Sequence, residues 1–316
     1  MKGHRTLRPA RWLGLGALMY LAVPLAPALQ AAEQAPADSP TSASVFAREN
    51  LVAWCIVPFD AKRRGPEQRA EMLQRLGIRR LAYDWRDEHI ATFDAELDAL
   101  ARHGVTLDAF WTPCSLEPAK DKHLKIILDF LRRRKVKTQL WLSTGVPEGP
   151  GVTQEQKVAV AARAIEYVAR EAGKIGCSVG LYNHGGWFGE PDNQIAILER
   201  VHLPNVGIVY NFHHGHEHLD RFPELFKKMQ PYLLAVNLNG MLKDGPRLGK
   251  KILPLAQGDQ ELGMLRIIGA SGYRGLIGIL NHREQIDAEQ GLKENLDGLK
   301  KLLTQMGDTE ALKTFR

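Results

Sequence analysis

The stretch VGIVYNFHHGHEHLDRF, residues 206–222, begins as an apolar, β-rich run and changes character at Asn211. Val206 to Asn211 reads as a short strand. Beyond it, His213, His214, His216 and His218 fall within six residues and make up four of the chain's eleven histidines. They are either solvated loop residues or groups that converge on a metal or a substrate. Which of the two holds depends on what surrounds the end of that strand.

The same order, a short β-rich run and then a longer stretch with helical apolar spacing, recurs from Leu51 onward. Strands are expected at Leu51 to Val57, Arg79 to Trp85, Val105 to Trp111, Val136 to Leu142, Ser178 to Asn183, Val206 to Asn211, Leu233 to Asn239 and Leu276 to Asn281. Helical stretches lie between them. PEQRAEMLQRLG, residues 66–77, has proline in its first turn and glycine at its end. TQEQKVAVAARAIEYVAREAG, residues 153–173, is the longest, and AEQGLKENLDGLKKLLTQM, residues 288–306, closes the series. Eight such units in roughly 250 residues predict an α/β fold, a single (β/α)8 TIM barrel over residues 50–316. A doubly wound sheet usually carries a Gly-rich phosphate loop after its first strand. Here the first strand runs into PFDAKRRGP, residues 58–66, which has no such loop, so no nucleotide cofactor is expected.

The N-terminus reads differently. Lys2, Arg5, Arg8 and Arg11 precede the apolar run WLGLGALMYLAVPLAPAL and the small residues that follow it, the pattern of a secretory signal peptide over residues 1–31. Pro24, Pro27 and the alanine-rich exit favour cleavage over retention as a membrane anchor. Export to the periplasm or the extracellular space is therefore expected. Residues 32–49, rich in Ala, Pro and Ser, read as a flexible linker. Without the leader's four basic groups, the 42 Lys and Arg against 36 Asp and Glu leave a formal charge of +2. Nothing in that balance asks for nucleic acid. Cys55, Cys114 and Cys177 are too few and too scattered for a disulfide framework and read as buried apolar residues.

In a parallel barrel the active site forms where strands end and βα loops begin. The strand ends gather Trp85, Trp111, Trp141 and Trp187 with Tyr83, Tyr182 and Tyr210, and beside them Asn and His side chains. Rings with a polar edge, combined with amide and imidazole groups, suit a polyhydroxylated ligand such as a sugar. Asp60 and Asp84 each end an early strand; a loop-capping role is preferred for Asp60.

The segments VGLYNHGGW (179–187), PNVGIVYNFHH (204–214) and SGYRGLIGILNH (271–282), in this order on successive late strands, resemble the xylose isomerase-like (sugar phosphate isomerase/epimerase) TIM-barrel superfamily. The resemblance runs from about Asn50 to Leu303. It implies a divalent metal held by a glutamate, an aspartate, a histidine and a glutamate on the fifth to eighth strands, with carboxylates moving protons beside a sugar carbonyl. This chain has Tyr182, Asn211, Asn237 and Leu280 at those places, and no carboxylate among them. A step of two residues toward the mouth keeps the same face of a strand and reaches His184, His213, Asn239 and His282, a set suited to Zn or Mn.

These residues lead to an exported carbohydrate-active protein: a sugar isomerase, epimerase or lyase acting by proton abstraction next to a carbonyl on a non-phosphorylated sugar or glycoside. In it Glu190, Asp84 and His214 are the catalytic candidates. Trp111, Trp141, Trp187, Tyr182, Asn183, Asn211 and Asn237 are the substrate-binding candidates. The expected partner is a small-molecule carbohydrate, with no stable membrane anchor once the leader is cleaved. The alternative is a non-catalytic barrel that binds a carbohydrate or a partner and has lost the family metal site.

Overall fold

The computed structural model describes residues 44–315; the expected leader and residues 32–43 of the expected linker lie outside the described residues. Eight parallel strands close into a barrel in chain order. They are β1 (Leu51–Trp54), β2 (Arg80–Tyr83), β3 (Thr106–Pro113), β4 (Gln139–Ser143), β5 (Ser178–Tyr182), β6 (Val206–Asn211), β7 (Leu233–Leu238) and β8 (Leu276–Leu280). β1 closes onto β8 with Leu51 opposite Ile277 and Trp54 opposite Leu280. All eight expected strands are present, several of them shorter at one or both ends than the apolar runs that announced them. Around them lie α1 (Pro66–Arg75), α2 (Phe93–Arg102), α3 (Lys122–Arg134), α4 (Gln154–Gly173), the single turn α5 (Gly186–Gly189), α6 (Pro191–Val201), α7 (Phe222–Met229), α8 (Glu261–Ala270), α9 (Ala288–Met306) and α10 (Thr309–Lys313). Among the described residues no helix is long and apolar enough to cross a membrane.

Strand parity sorts the side chains. Leu51, Ala53, Leu81, Phe110, Leu140, Leu142, Val179, Leu181, Ile208, Val236 and Ile277 face outward and pack with the helices into the large core. Val52, Trp54, Ala82, Ala109, Trp141, Tyr182, Val209, Ala235 and Leu280 face inward and fill the barrel. The inner set pairs two indoles and a phenol with alanines and glycines because the interior has a fixed width. At Gly180 an added Cβ would lie 2.5 Å from Val209 and 3.3 Å from Trp141, and at Gly278 it would lie 1.8 Å from Asn237 Oδ1. Hydrogen there is what lets Trp141 and Asn237 point inward.

Local sequence explains where the helices begin. Thr153 forms a capping box with Gln156 at the start of α4, and Asp121 accepts from Leu124 N at the start of α3. Asp60 behaves as a loop cap: its carboxylate accepts from Lys62 N, Arg64 N and Ala288 N and pairs with Arg64 at 2.9 Å. It thereby ties the first βα loop to the start of α9. All three cysteines are buried free thiols.

The linker boundary needs correction. Val45, Phe46 and Ala47 are buried, and Phe46 is fully enclosed in the large core. The packed body therefore starts before Asn50, because this short segment supplies an apolar plug that the Ala- and Ser-rich composition around it conceals.

Candidate active site

At the C-terminal end of the strands a narrow cavity of about 50 Å³ opens over Trp54 and Tyr182. Six strands furnish its walls through side chains at or just beyond their ends. Asp84 and Arg86 follow β2, Trp111 lies in β3, His184 follows β5, His214 follows β6, His282 follows β8, and Phe59 and Cys55 come from the loop after β1.

Planar groups form a closed ring around the opening. The His282 ring stacks on Phe59 with centroids 3.8 Å apart. The Arg86 guanidinium carbon lies 5.6 Å from the Phe59 ring and 5.5 Å from the Trp111 ring. Trp111 approaches His184 at 6.3 Å, His184 approaches His214 at 4.6 Å, His214 packs on His213 at 3.7 Å, and His213 returns to His282 at 4.8 Å. Two residues here carry positive φ: Cys55 at 55° and His282 at 23°. Non-glycine residues enter that region at a cost of order 1–3 kcal/mol, which the packing around the mouth must offset.

The electrostatics favour neutral imidazoles and a protonatable carboxyl. Burial, then the charge of His214 and His282, holds His213 far below the ordinary imidazole range. Burial, then His184 and Lys251, lowers His214 to about 2, and burial, then Arg86, lowers His282 to about 4. Burial, then Lys251 and Arg86, lowers His184 as well. Asp84 is the cavity's carboxyl. Burial raises it from 3.8 to about 7, against the pull of Arg86 and the hydrogen bond from Val57 N. Its Oδ2 is buried without a hydrogen-bond partner, as are His213 Nδ1, His214 Nε2 and His282 Nδ1. Buried polar atoms in native proteins are normally paired, so a cluster of orphans at a mouth marks a place that a polar occupant completes. Cys55 lies beside Asp84; burial, then that carboxylate's charge, raises the thiol far above its ordinary value, so it stays protonated.

Several expected residues sit elsewhere. Trp141 is fully buried in the barrel, edge-on to Trp54 at 4.9 Å, with its indole N–H donated to Gln139 Oε1. It points inward but lies a layer too deep to meet a ligand. Trp187 belongs to the helix shell, where its N–H reaches Gln154 Oε1. Trp85 faces the outer core and donates to the Trp111 carbonyl. Asn183 is a brace rather than a ligand contact: its amide bridges the backbone N–H and C=O of Asn211. Asn211 donates its amide to the Tyr182 hydroxyl and accepts from His213 N, which leaves Tyr182 as the member of this group that lines the cavity. Asn237 is fully buried beside Gly278 in the barrel, and Asn239 donates to Gly240 O. Glu190 turns away from the cavity. Its carboxylate accepts from Arg221 at 2.7 Å and meets His218 Nε2 at 3.2 Å, while His218 Nδ1 meets the buried Tyr210 hydroxyl at 3.1 Å.

The metal set needs the same correction. The residues at the four family positions, Tyr182, Asn211, Asn237 and Leu280, supply no carboxylate, and Asn211 already donates to the Tyr182 hydroxyl. The family's ion does not fit there. The shifted set of His184, His213 and His282 presupposes that β6 continues past Asn211. The chain instead turns into a 3-10 helix at Phe212–His214, so His213 is buried and His214 takes the lining position. Among the described residues, three ligating side chains come within 4.8 Å of one another at Glu67, Glu71 and His103, on the outer surface of α1 and α2. There Glu67 is already bound by Arg102 and His103. Imidazole remains a ligand type that transition metals accept, but the mouth nitrogens do not converge on one point.

Arg86, Phe59, Cys55, Trp54 and Lys251 were not singled out from the sequence. Parity would have found Arg86, since Ala82, Asp84 and Arg86 are successive inward positions. Nothing local marks Lys251, which reaches the histidines from the loop between β7 and α8.

An eight-stranded parallel barrel with its polar pocket at the C-terminal mouth is a TIM barrel laid out as enzymes of that fold are. A family model described as xylose isomerase-like TIM barrel matches residues 68–302, and the chain belongs to that family. No curated protein matches the chain. Among solved structures it is similar to the IOLI protein with a bound zinc atom, at 15% identity and TM-score 0.64 over 81% of this chain and 98% of that one. It is similar to the probable 3-DHS dehydratase AsbF of Bacillus anthracis, involved in petrobactin synthesis, at 12% identity and TM-score 0.63 over 79% and 98%. It is also similar to the 3-keto-D-glucoside 4-epimerase YcjR of E. coli in its apo form, at 12% identity and TM-score 0.61 over 82% and 99%. At these identities the likeness establishes the fold.

Proposed function

We propose that this chain is an enzyme that isomerises, epimerises or eliminates on a non-phosphorylated sugar or glycoside by moving a proton at the carbon next to a carbonyl. Asp84 carries this reading. It is a fully buried carboxyl that ionises near pH 7 and faces the same cavity as the imidazoles and Arg86. A proton carrier works best when its own pKa lies near the working pH.

In this mechanism ionised Asp84 removes the proton from the carbon beside the carbonyl. The C–H electron pair becomes the double bond of an enediolate and the carbonyl π pair moves onto oxygen, where the Arg86 guanidinium stabilises the charge. Return of the proton from Asp84 to the carbonyl carbon, with the neighbouring hydroxyl passing its own proton to the enediolate oxygen, gives an isomer; protonation from the opposite face by water, with Asp84 losing its proton to solvent, gives an epimer; and departure of a β-substituent that takes the proton from Asp84 gives a lyase product. Neutral His184, His214 and His282 donate to or accept from hydroxyls, and Trp111 and Tyr182 bound the sugar ring. The relatives named as an epimerase and a dehydratase support a reaction of this type. The leader pattern in residues 1–31 supports action outside the cytoplasm.

The missing family carboxylates favour a second reading, a barrel that binds carbohydrate without turning it over. Solvent deuterium exchange separates the two. Keto-sugars and 3-keto-glycosides incubated with the protein in D2O should exchange the proton beside the carbonyl, and Asp84→Asn should abolish the exchange. Exchange by that variant at the wild-type rate removes Asp84 from the mechanism, and no exchange by the wild type on any such substrate supports the binding reading.

A further inference from the structure

We propose that the cavity seats the carboxylate of an acidic sugar, an aldonate or uronate, against the Arg86 guanidinium, with the rest of the sugar lying over the open mouth, since about 50 Å³ cannot enclose a sugar ring. This rests on the reading of the cavity as a sugar site given above.

Arg86 is half-buried, and its contacts hold it as a plane. Its central carbon lies over the Phe59 and Trp111 rings at 5.6 and 5.5 Å, and Nη1 donates to the carbonyls of Asp84 and Trp85 at 3.0 and 2.7 Å. These contacts immobilise the group while leaving the Nε and Nη2 donors uncommitted. Every contact named is to a neutral group. Among the described residues no Asp or Glu oxygen forms an ion pair with Arg86 within 4.0 Å, although most arginines on the helix shell have such a partner. Lys251, the second cation whose charge reaches the mouth, has no such pair either.

A fixed guanidinium edge matches a carboxylate through two parallel N–H donors. The histidines around the opening are neutral and can donate to or accept from hydroxyls, but they cannot neutralise an anion. Asp84 is the cavity's one carboxyl and forms no ion pair with Arg86, so the free edge of the guanidinium is left for an anionic group carried by the ligand. Pairing with Arg86 offsets the carboxylate's charge, so the C–H beside it is easier to ionise than in the free anion, and the same guanidinium takes up the charge that develops on the carboxylate oxygens.

The test is calorimetric titration of the mature full-length protein with D-glucuronate, D-glucose and D-glucose 6-phosphate at one low ionic strength, repeated with Arg86→Gln, Arg86→Lys and Asp84→Asn. Glucuronate should bind at least about tenfold more tightly than glucose, as a charge-assisted bidentate contact requires. Arg86→Gln should bring that ratio close to one. If Arg86→Gln does not fold, Arg86→Lys should keep the positive charge, lose the paired donors and still reduce the ratio. Equal binding of glucose and glucuronate by the wild type, an undiminished preference in either Arg86 variant, or tighter binding of the phosphate than of glucuronate overturns the proposal. A preference retained by Asp84→Asn supports it independently of whether Asp84 moves protons.

Discussion

Replacing Asp84 with asparagine isolates the energetic cost of a buried charge. The carboxyl ionises near pH 7 in the fold and near its ordinary 3.8 in the unfolded chain. Because the folded value is raised, the native state carries no penalty below pH 3.8. The penalty grows from there to pH 7, and stability is lost as the pH rises through that window. At about 1.4 kcal/mol for each pH interval the full penalty above pH 7 is about 4 kcal/mol, an upper figure because the protein relaxes and water enters. Asparagine keeps the shape, and its Oδ1 can still accept from Val57 N, whose bond to Asp84 Oδ1 is 3.3 Å. Urea unfolding of both proteins at pH 4, 6 and 8 should give near-equal stabilities at pH 4. At pH 8 the variant should be more stable, by about 2 to 4 kcal/mol once relaxation is allowed for. The buried histidines titrate in both proteins and cancel in the difference. A variant less stable than the wild type at pH 8 would refute the reasoning, because it would mean that the ionised carboxylate is stabilised where it stands.

Two of the inward tryptophans, Trp111 and Trp141, should separate structure from binding. Trp141→Ala should cost about 3–5 kcal/mol of stability, as for a buried aromatic, whereas Trp111→Ala, at the cavity wall, should cost less and weaken sugar binding; thermal unfolding and titration check both. Gly278→Ala places a methyl against Asn237 Oδ1 and should destabilise by about 1–3 kcal/mol. Adding Asn237→Ala should recover part of that loss, and a strictly additive double mutant would count against the contact. Elemental analysis after dialysis against chelator should find less than one equivalent of zinc or manganese, given imidazoles that do not converge. A full retained equivalent that Glu67→Gln does not remove would require the rings to rotate inward.

The periodicity of the sequence carried the barrel, because each strand had to be buried on both sides and each helix on one. It carried faces much better than depths. Trp111 and Trp141 are both inward residues of neighbouring strands and pair in register, yet one lines the cavity and the other is fully enclosed. A single strand's pattern contains nothing about how far along the axis a residue sits, since that follows from the stagger of all eight. The two-residue step served for His184, which follows a strand that keeps its direction to its end. It failed for His213, where the 3-10 turn after Asn211 brings the next residue to the wall. Cys55 escaped notice for a related reason, its left-handed backbone breaking the alternation. Glu190 looked catalytic because it is an acid near the mouth in sequence; its partners Arg221 and His218 lie 31 and 28 residues away.

The edge-on pair of Trp54 and Trp141 makes the molecule its own spectroscopic gauge. Two indoles at 4.9 Å, fully or almost fully shielded from water, are close enough to couple their transitions, so the folded barrel should show a near-ultraviolet circular dichroism band that is lost when the barrel opens. Trp111, beside a guanidinium at the mouth, sits in a different setting, and its emission should change when a ligand displaces solvent there. One chain thus reports the state of its interior and the occupancy of its cavity in separate optical signals, without any label.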